Sequence, residues 1–301
     1  MIYLPDKFPP FLLALRLTYK VINKIKERTF LRDFYKEGLG AETLKTTSDE
    51  ALYIFKRIEK KYLLDSYEAE ILKSRIGFFL PRDKYSEKPM QISSVYFDNA
   101  EWKCYNEQMN RVNPRFKIRL REYSKNGLPA ESGFAEIKKK SNGITVKERF
   151  KIFISQKELI KGINESSNCS FIDLFSYADR SNACYHKITG TIQNYAFEPV
   201  VRAAYLREAF ENEEKTLRVT FDSQLTFKPV LNTHSLPAAV FYSVPENVCI
   251  MEIKYSGQMP GWLLQMLEGD KLKRQRFSKY CSSINAIYKL QNTGNEAVVL
   301  K

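Results

Sequence analysis

Lys117-Ile118-Arg119-Leu120-Arg121 sets basic residues on alternate positions, with apolar residues between them. In a β-strand, residues two apart share a face, so this segment has one cationic side and one apolar side. Glu136-Ile137-Lys138-Lys139-Lys140, Lys147-Glu148-Arg149, Arg218-Val219-Thr220-Phe221-Asp222 and Glu252-Ile253-Lys254 repeat the theme. Like charges crowded on neighbouring strands repel, so such a face is expected to hold an anion. A sheet closed around that face would be a cationic tunnel, and its best occupant is a polyphosphate.

The whole chain agrees with this reading. It carries 48 Lys+Arg against 35 Asp+Glu, a net charge of +13. That excess points to a polyanionic partner: nucleic acid, a phosphorylated ligand or an anionic membrane. A basic surface serving solubility would scatter the charge, and here much of it falls on alternating strand positions. With 44% hydrophobic residues the chain has enough for a large core, which excludes wholesale disorder. A length of 301 residues is long for one domain but fits a barrel.

Cysteine and histidine usage removes other chemistries. Five cysteines, at 104, 169, 184, 249 and 281, form no CxxC pair, so neither a disulfide framework nor a zinc site is expected, and a reduced cytosolic interior is the default. The two histidines, His186 and His234, are too few for a multi-histidine metal centre and are expected to be ordinary surface or loop residues. No stretch approaches the ~20 apolar residues that span a bilayer, and Phe11–Leu15 is too short for a secretory signal. Residues from about Phe11 to Tyr35 read as an amphipathic helix packed on the main domain, in competition with a basic helix lying on an acidic membrane.

Along the chain, residues 38–47 form a polar linker, and Thr47 with Glu50 can form a capping box. A strand is predicted over Ile54–Leu63. Asp65 with Glu68 is a further capping box, opening a helix that Gly77 closes. Strands follow at Gln91–Asp98, Phe116–Tyr123 and Phe134–Lys140, and Asn142-Gly143 turns the chain into Ile144–Phe150. Ser155 with Glu158 caps a short helix, and a second helix is expected over Ser166–Asn182. Strands at Ala196–Phe210, Thr216–Phe227 and Val248–Tyr255 precede a short helix opened by Pro260-Gly261. A long final helix is expected over Lys271–Lys289. Many antiparallel strands with helices near both ends predict an α+β domain built on a β-barrel.

The ordered motifs then become specific. They are Val95-Tyr96-Phe97-Asp98, Lys117–Tyr123, Glu136-Ile137-Lys138, Val146–Phe150, Tyr205–Phe210, Leu217–Asp222, Met251–Lys254 and Phe277-Ser278-Lys279-Tyr280. Together, over about Ile54–Tyr288, they closely resemble the catalytic domain of the vacuolar transporter chaperone (VTC) polyphosphate polymerases, a branch of the triphosphate tunnel metalloenzymes. The resemblance implies an eight-stranded antiparallel tunnel at residues 47–292, after an N-terminal helical extension and linker at 1–46 and before a tail at 293–301. It implies that Lys61, Arg119, Arg121, Lys138, Lys147, Arg207 and Arg218 grip the triphosphate and take part in phosphoryl transfer. Arg57, Lys140, Arg149, Arg202, Lys254, Arg276 and Lys279 would bind the polyphosphate chain, with Arg276 and Lys279 as a basic pair on the C-terminal helix. Glu252 would hold a divalent metal, Mn2+ or Mg2+, with Glu136 and Glu59 as further acids at that site.

Each role has a competitor. Glu252 with Lys254 also reads as a cross-strand ion pair, Glu136 as a structural partner of a wall lysine, and Arg276 with Lys279 as a solvated helix face. Many tunnel phosphohydrolases of this superfamily begin with Glu-x-Glu-x-Lys, whereas this chain has Arg57-Ile58-Glu59-Lys60-Lys61. The lost carboxylate favours holding a long phosphate chain over hydrolysing a short one. The expected activity is therefore ATP-dependent polyphosphate synthesis, with a triphosphatase and a non-catalytic polyphosphate-binding module as the alternatives. Expected partners are ATP, polyphosphate, and pyrophosphate or triphosphate, with no specific nucleic acid. No phosphate-sensing domain is expected upstream and no membrane anchor downstream, so a cytoplasmic protein reaching membranes only through partner proteins is expected.

Overall fold

The structure is a computed structural model that describes residues 53–55, 58–84, 88–124, 133–142, 144–153, 178, 180–230, 242–270 and 272–288. All of them belong to one compact unit, Glu50–Lys301. The expected N-terminal helix, the 38–47 linker, the Thr47 and Ser155 caps, Arg57 and His234 lie outside the described residues.

Strands β1 (Tyr53–Phe55), β2 (Ile58–Asp65), β3 (Met90–Asp98), β4 (Arg115–Ser124), β5 (Gly133–Ser141), β6 (Ile144–Ile152), β7 (Glu198–Glu211), β8 (Leu217–Pro229), β9 (Tyr242–Ser243) and β10 (Val248–Tyr255) form one antiparallel sheet. The order is β1-β6-β5-β4-β3-β7-β8-β10-β2, with β9 beside β8. Its two edges, β1 and β2, are consecutive in the chain. Phe55 and Ile58 are three residues apart, so the edges lie within about 11 Å of each other and the sheet curls round on itself. Lys138 of β5 also reaches Glu59 of β2, 3.4 Å away across the interior. The expected α+β tunnel of eight long antiparallel strands is therefore the fold found.

The alternation of the sequence dictates which side faces out. The apolar side of most strands points away from the lumen, and helices α1 (Ser66–Gly77), α2 (Lys103–Met109), α3 (Ala183–Tyr195), α4 (Gly261–Gly269) and α5 (Lys279–Tyr288) pack on the sheet, α5 starting on the lumen side, where Tyr280 meets Tyr96 at 5.2 Å and Lys279 pairs with Asp222. One cluster joins Val95, Phe97, Ile118, Leu120, Ile137 and Phe150 to Tyr185, Ile188 and Ile192 of α3 and to Tyr280, Ile284 and Ile287 of α5. The other joins Phe210, Val219, Phe221, Met251 and Ile253 to Leu72 and Ile76 of α1 and to Leu263 of α4. Burial of these side chains, each worth roughly 1.5–3 kcal/mol, holds the helices to the sheet. No helix among the described residues is long and apolar enough to cross a membrane.

The predicted cap of α1 forms as read: Glu68 N donates to Asp65 Oδ1 at 2.7 Å, and Asp65 N donates to Glu68 Oε2 at 2.9 Å. Most of the helix expected over Ser166–Asn182 lies outside the described residues; a helix that the sequence reading did not assign runs Ala183–Tyr195, capped by Asn182, whose side chain accepts from Cys184 N. One helix differs from expectation. The final helix starts at Lys279, not Lys271, because the preceding residues run alongside β2. Arg274 bridges to Tyr62, and Gln275 N donates to Lys61 O at 2.8 Å. Cys104, Cys184, Cys249 and Cys281 are free thiols. His186 lies on α3, its ring against Tyr185.

Candidate functional site

Residues directly opposite in an antiparallel pair point to the same side, so the register assigns the lumen face strand by strand. From Lys117, Arg119 and Arg121 on β4 it passes to Lys138 and Glu136 on β5 and to Lys147 and Arg149 on β6. In the other direction it passes through Ser94 and Tyr96 on β3 to Arg207 on β7. It continues through Asp222, Thr220 and Arg218 on β8, Glu252 and Lys254 on β10, and Lys61 and Glu59 on β2.

The carboxylates of the wall are all engaged by cations. Lys61 Nζ lies 3.1 Å from Glu59 Oε1 and 3.3 Å from Glu252 Oε2, and Lys254 Nζ lies 2.5 Å from Glu252 Oε1. Glu136, only 1% exposed, takes Arg119 Nε at 2.8 Å and Nη2 at 2.7 Å on Oε2, and pairs with Lys147 through Oε1. Asp222, fully buried, receives Arg207 in a two-point fork at 2.6 and 2.7 Å and also pairs with Lys279. Arg218 is shared between Asp83 at 2.6 Å and Glu211 at 3.1 Å.

Arg121 and Lys117 hydrogen-bond neutral groups instead. Arg121 is 7% exposed and donates to Ser94 Oγ at 3.1 Å and to the Tyr205 hydroxyl at 3.0 Å. Lys117 donates to Ser278 Oγ at 3.0 Å, with its Nζ over the Tyr280 ring. Lys61 also donates to the Phe277 carbonyl at 3.1 Å, so the segment before α5 reaches the wall on both β2 and β4.

The electrostatics follow from this crowding. Burial pushes the Glu59 carboxyl up, but Lys61, Lys138 and Lys254 outweigh it and hold Glu59 at about 2. Burial opposes ionisation of Asp222 in the same way, and Arg207 with Lys279 brings it to about 2. Glu136 and Glu252 are held below the usual carboxylate range against burial, the first chiefly by Arg119, the second by Lys254 and Lys61. Burial pulls Lys117 and Lys138 below the ordinary lysine value. Lys147 is lowered furthest, to about 7, by burial and by Arg119 and Arg121, with Glu136 opposing. The acids stay ionised while Lys117, Lys138 and Lys147 are short of counter-charge, which is the condition an incoming anion relieves.

Lys147 gives a pH signature. Below pH 7 it is already charged, and an anion binds without taking up a proton. Above pH 7 it is neutral in the empty tunnel and must gain a proton as the anion arrives. Affinity for tripolyphosphate is therefore expected to fall as pH rises from 6.5 to 8.5, by up to tenfold per unit. Calorimetry at pH 8 in buffers of different ionisation heat should register proton uptake. Lys147→Arg, which keeps its charge, should lose that part of the uptake and leave only the contribution of the ligand's own terminal phosphates.

A family model for the VTC domain matches residues 56–288. The chain belongs to the VTC domain family. No curated protein matches the chain significantly. Among solved structures it is similar to a Hippeastrum protein with a dominant triphosphatase activity, at 15% identity, covering 77% of this chain and 96% of that one, with a TM-score of 0.42. It is also similar to a candidate adenylate cyclase from Bacillus halodurans, at 9% identity, 74% and 96% coverage and a TM-score of 0.41. A conserved hypothetical protein from Pyrococcus furiosus aligns at 10% identity, 75% and 99% coverage and a TM-score of 0.38.

In this VTC domain, Lys61, Arg119, Arg121, Lys138, Lys147, Arg207, Arg218, Lys254, Glu59, Glu136 and Glu252 share the lumen face, and Lys279 joins them from the start of α5. Lys140 and Arg149 share that face by register but are exposed, with the Arg149 guanidinium over the Phe134 ring at 4.4 Å. Arg202 stands on the opposite face of β7, where its Nε donates to Ser93 Oγ at 2.7 Å. Arg276 is exposed in the extended segment before α5, so it forms no helical pair with Lys279. Among the described residues no three His, Cys, Asp or Glu side chains are grouped to hold a metal. Glu59 and Glu252 do converge on Lys61, whereas Glu136 is taken by Arg119 and Lys147. Two carboxylates suit a hard divalent cation whose other oxygens come from phosphate and water. Lys117, Tyr205 and Asp222 are wall residues that the sequence reading did not assign. Lys117 carries the same alternation signal as Arg119, and Asp222 becomes visible only once β7 and β8 are in register.

Proposed function

We propose that this VTC domain is a metal-dependent polyphosphate polymerase that transfers the γ-phosphate of ATP to a growing polyphosphate chain inside the tunnel. Arg121 carries the reading. It is a buried, permanently charged guanidinium whose hydrogen bonds go to neutral hydroxyls, with Glu136 acting on it only at longer range, on a wall where Lys117, Lys138 and Lys147 are held below the ordinary lysine value. A buried charge without a direct ionic contact is costly, and a phosphate chain supplies that contact. Arg119, Arg121, Arg207 and Arg218 offer forks for phosphate oxygens, while Lys61, Lys138 and Lys147 neutralise and orient the triphosphate. Glu252, with Glu59, is suited to hold Mn2+ or Mg2+, which when bound would supply Lewis-acid stabilisation of the charge on the transferred group.

Arg57, in place of the acid common in tunnel phosphohydrolases, and the further basic residues Lys140 and Lys254 favour an extended phosphate acceptor over water. A cytoplasmic location with membrane contact through partner proteins belongs to the same reading. The test is to incubate the purified protein with ATP and manganese and to measure both polymer and free phosphate. ATP should become ADP, with the lost phosphate recovered mainly as acid-labile polymer, and added short polyphosphate should shorten any lag. Stoichiometric orthophosphate, with inorganic triphosphate cleaved faster than ATP, would instead establish a triphosphatase.

A further inference from the structure

Thr220 sits in the middle of the acidic side of the wall and makes none of the bonds its chemistry permits. On β8 it lies directly opposite Glu252 of β10 and Ala209 of β7. Opposed Cβ atoms in an antiparallel pair are about 5 Å apart, so its side chain and that of Glu252 are lateral neighbours on the lumen face. Thr220 is 2% exposed, and its Oγ1 is enclosed with no hydrogen-bond partner. A buried hydroxyl left unpaired costs stability, and an alanine or valine there would avoid the cost. Ala209 offers a methyl group, so the nearest lateral acceptor is the Glu252 carboxylate. That carboxylate is drawn to Lys61, opposite it on β2, and to Lys254, two residues along its own strand. Those two ammonium groups are also among the cations that an incoming phosphate chain would attract.

We propose that Thr220 is a positioning residue for Glu252: once the lysines turn to phosphate, its hydroxyl donates to the released carboxylate and fixes it for a divalent cation. The enclosure of Oγ1 argues for action through Glu252 and against direct contact with the guest. This inference rests on the reading of Glu252 as a metal-holding residue, and it adds that the free protein carries the cost of a hydroxyl used only when the tunnel is loaded.

The test uses the full chain, with Thr220→Val, which keeps the shape and removes the hydroxyl, and Thr220→Ser, which keeps the hydroxyl. Melting temperature without ligand, tripolyphosphate binding without metal, and the manganese concentration that half-maximally enhances that binding are measured for each. Thr220→Val should melt no lower than wild type and bind metal-free tripolyphosphate equally well, but require about tenfold more manganese. Thr220→Ser should restore the wild-type requirement. An unchanged manganese midpoint in Thr220→Val overturns the proposal, as does a shift accompanied by lower melting temperature or weaker metal-free binding, which would mark general damage. A wild-type protein indifferent to manganese overturns the reading of Glu252 itself, and this proposal with it, and that outcome is distinguishable because it appears before any variant is made.

Discussion

Glu252→Gln should leave tripolyphosphate bound and stop metal-dependent turnover. The substitution keeps the volume and removes the charge that Lys61 and Lys254 share. Both lysines then gain freedom to meet phosphate, so metal-free affinity should match or exceed that of wild type. Loss of a metal contributing several kcal/mol of charge stabilisation corresponds to a rate reduction of about a thousandfold or more. Turnover and binding are measured on one preparation, with ADP release followed in manganese and affinity by calorimetry. Activity within a few fold of wild type would remove Glu252 from the metal site. Intact binding with abolished turnover would also separate an enzyme from a module that merely holds polyphosphate, because binding needs the basic wall but not this carboxylate.

Arg119 and Arg121 look alike in sequence, and their removal should have different consequences. Each should weaken tripolyphosphate binding by about 1.5–3 kcal/mol, the range for a charge-assisted contact, or roughly ten- to a hundredfold. Arg121 hydrogen-bonds only neutral hydroxyls, with Glu136 acting on it at longer range, so Arg121→Met breaks no direct ion pair and should change the melting temperature far less than Arg119→Met does. Arg119 is the chief counter-charge of the almost fully buried Glu136. Arg119→Met leaves that carboxylate with Lys147 in contact and Arg121 at longer range and should destabilise the fold by about 3–5 kcal/mol, the cost of breaking a buried pair. Arg180→Ala, at an exposed position ahead of α3, serves as the control and should change neither quantity. Equal loss of affinity in all three variants would mean a diffuse basic surface and would end the tunnel reading.

Much of this was legible because charge alternates at the period of a strand. The face carrying Lys117, Arg119 and Arg121 followed from spacing alone, and so did the lumen positions of Glu252 and Lys254. The Asp65–Glu68 cap and the Asn142-Gly143 turn are local chemistry, and Asn142 does adopt a positive φ of 47°. Arg202 shows where motif order and spacing part company. It is an odd number of residues from Arg207, and in a regular strand that parity places the two on opposite faces. Other features depend on partners distant in the chain. Residues 272–278 have nothing in their composition to forbid a helix, and it is β2, more than two hundred residues earlier, that draws them out as an extended segment. The carboxylates told least by themselves. Glu136 and Glu252 sit in the same Glu-x-Lys pattern, and only the cations brought to each by strand pairing distinguish a structural anchor from a candidate metal holder.

Much of the cohesive apolar surface of this barrel lies on its outer face, against the helices, while the cations and carboxylates gather on the lumen face beside a smaller apolar set that includes Tyr96 and Tyr205. The residues that keep the chain folded and those that define its chemistry are thus largely separate sets. Apart from anchors such as Glu136 and Asp222 and cluster members such as Tyr96 and Tyr205, exchanging one charged lumen side chain for another leaves both apolar clusters intact. A lineage built on this architecture can therefore change the length, charge or fate of its guest by small steps, each surviving as a folded protein. Inheritance of the scaffold and inheritance of the reaction need not travel together.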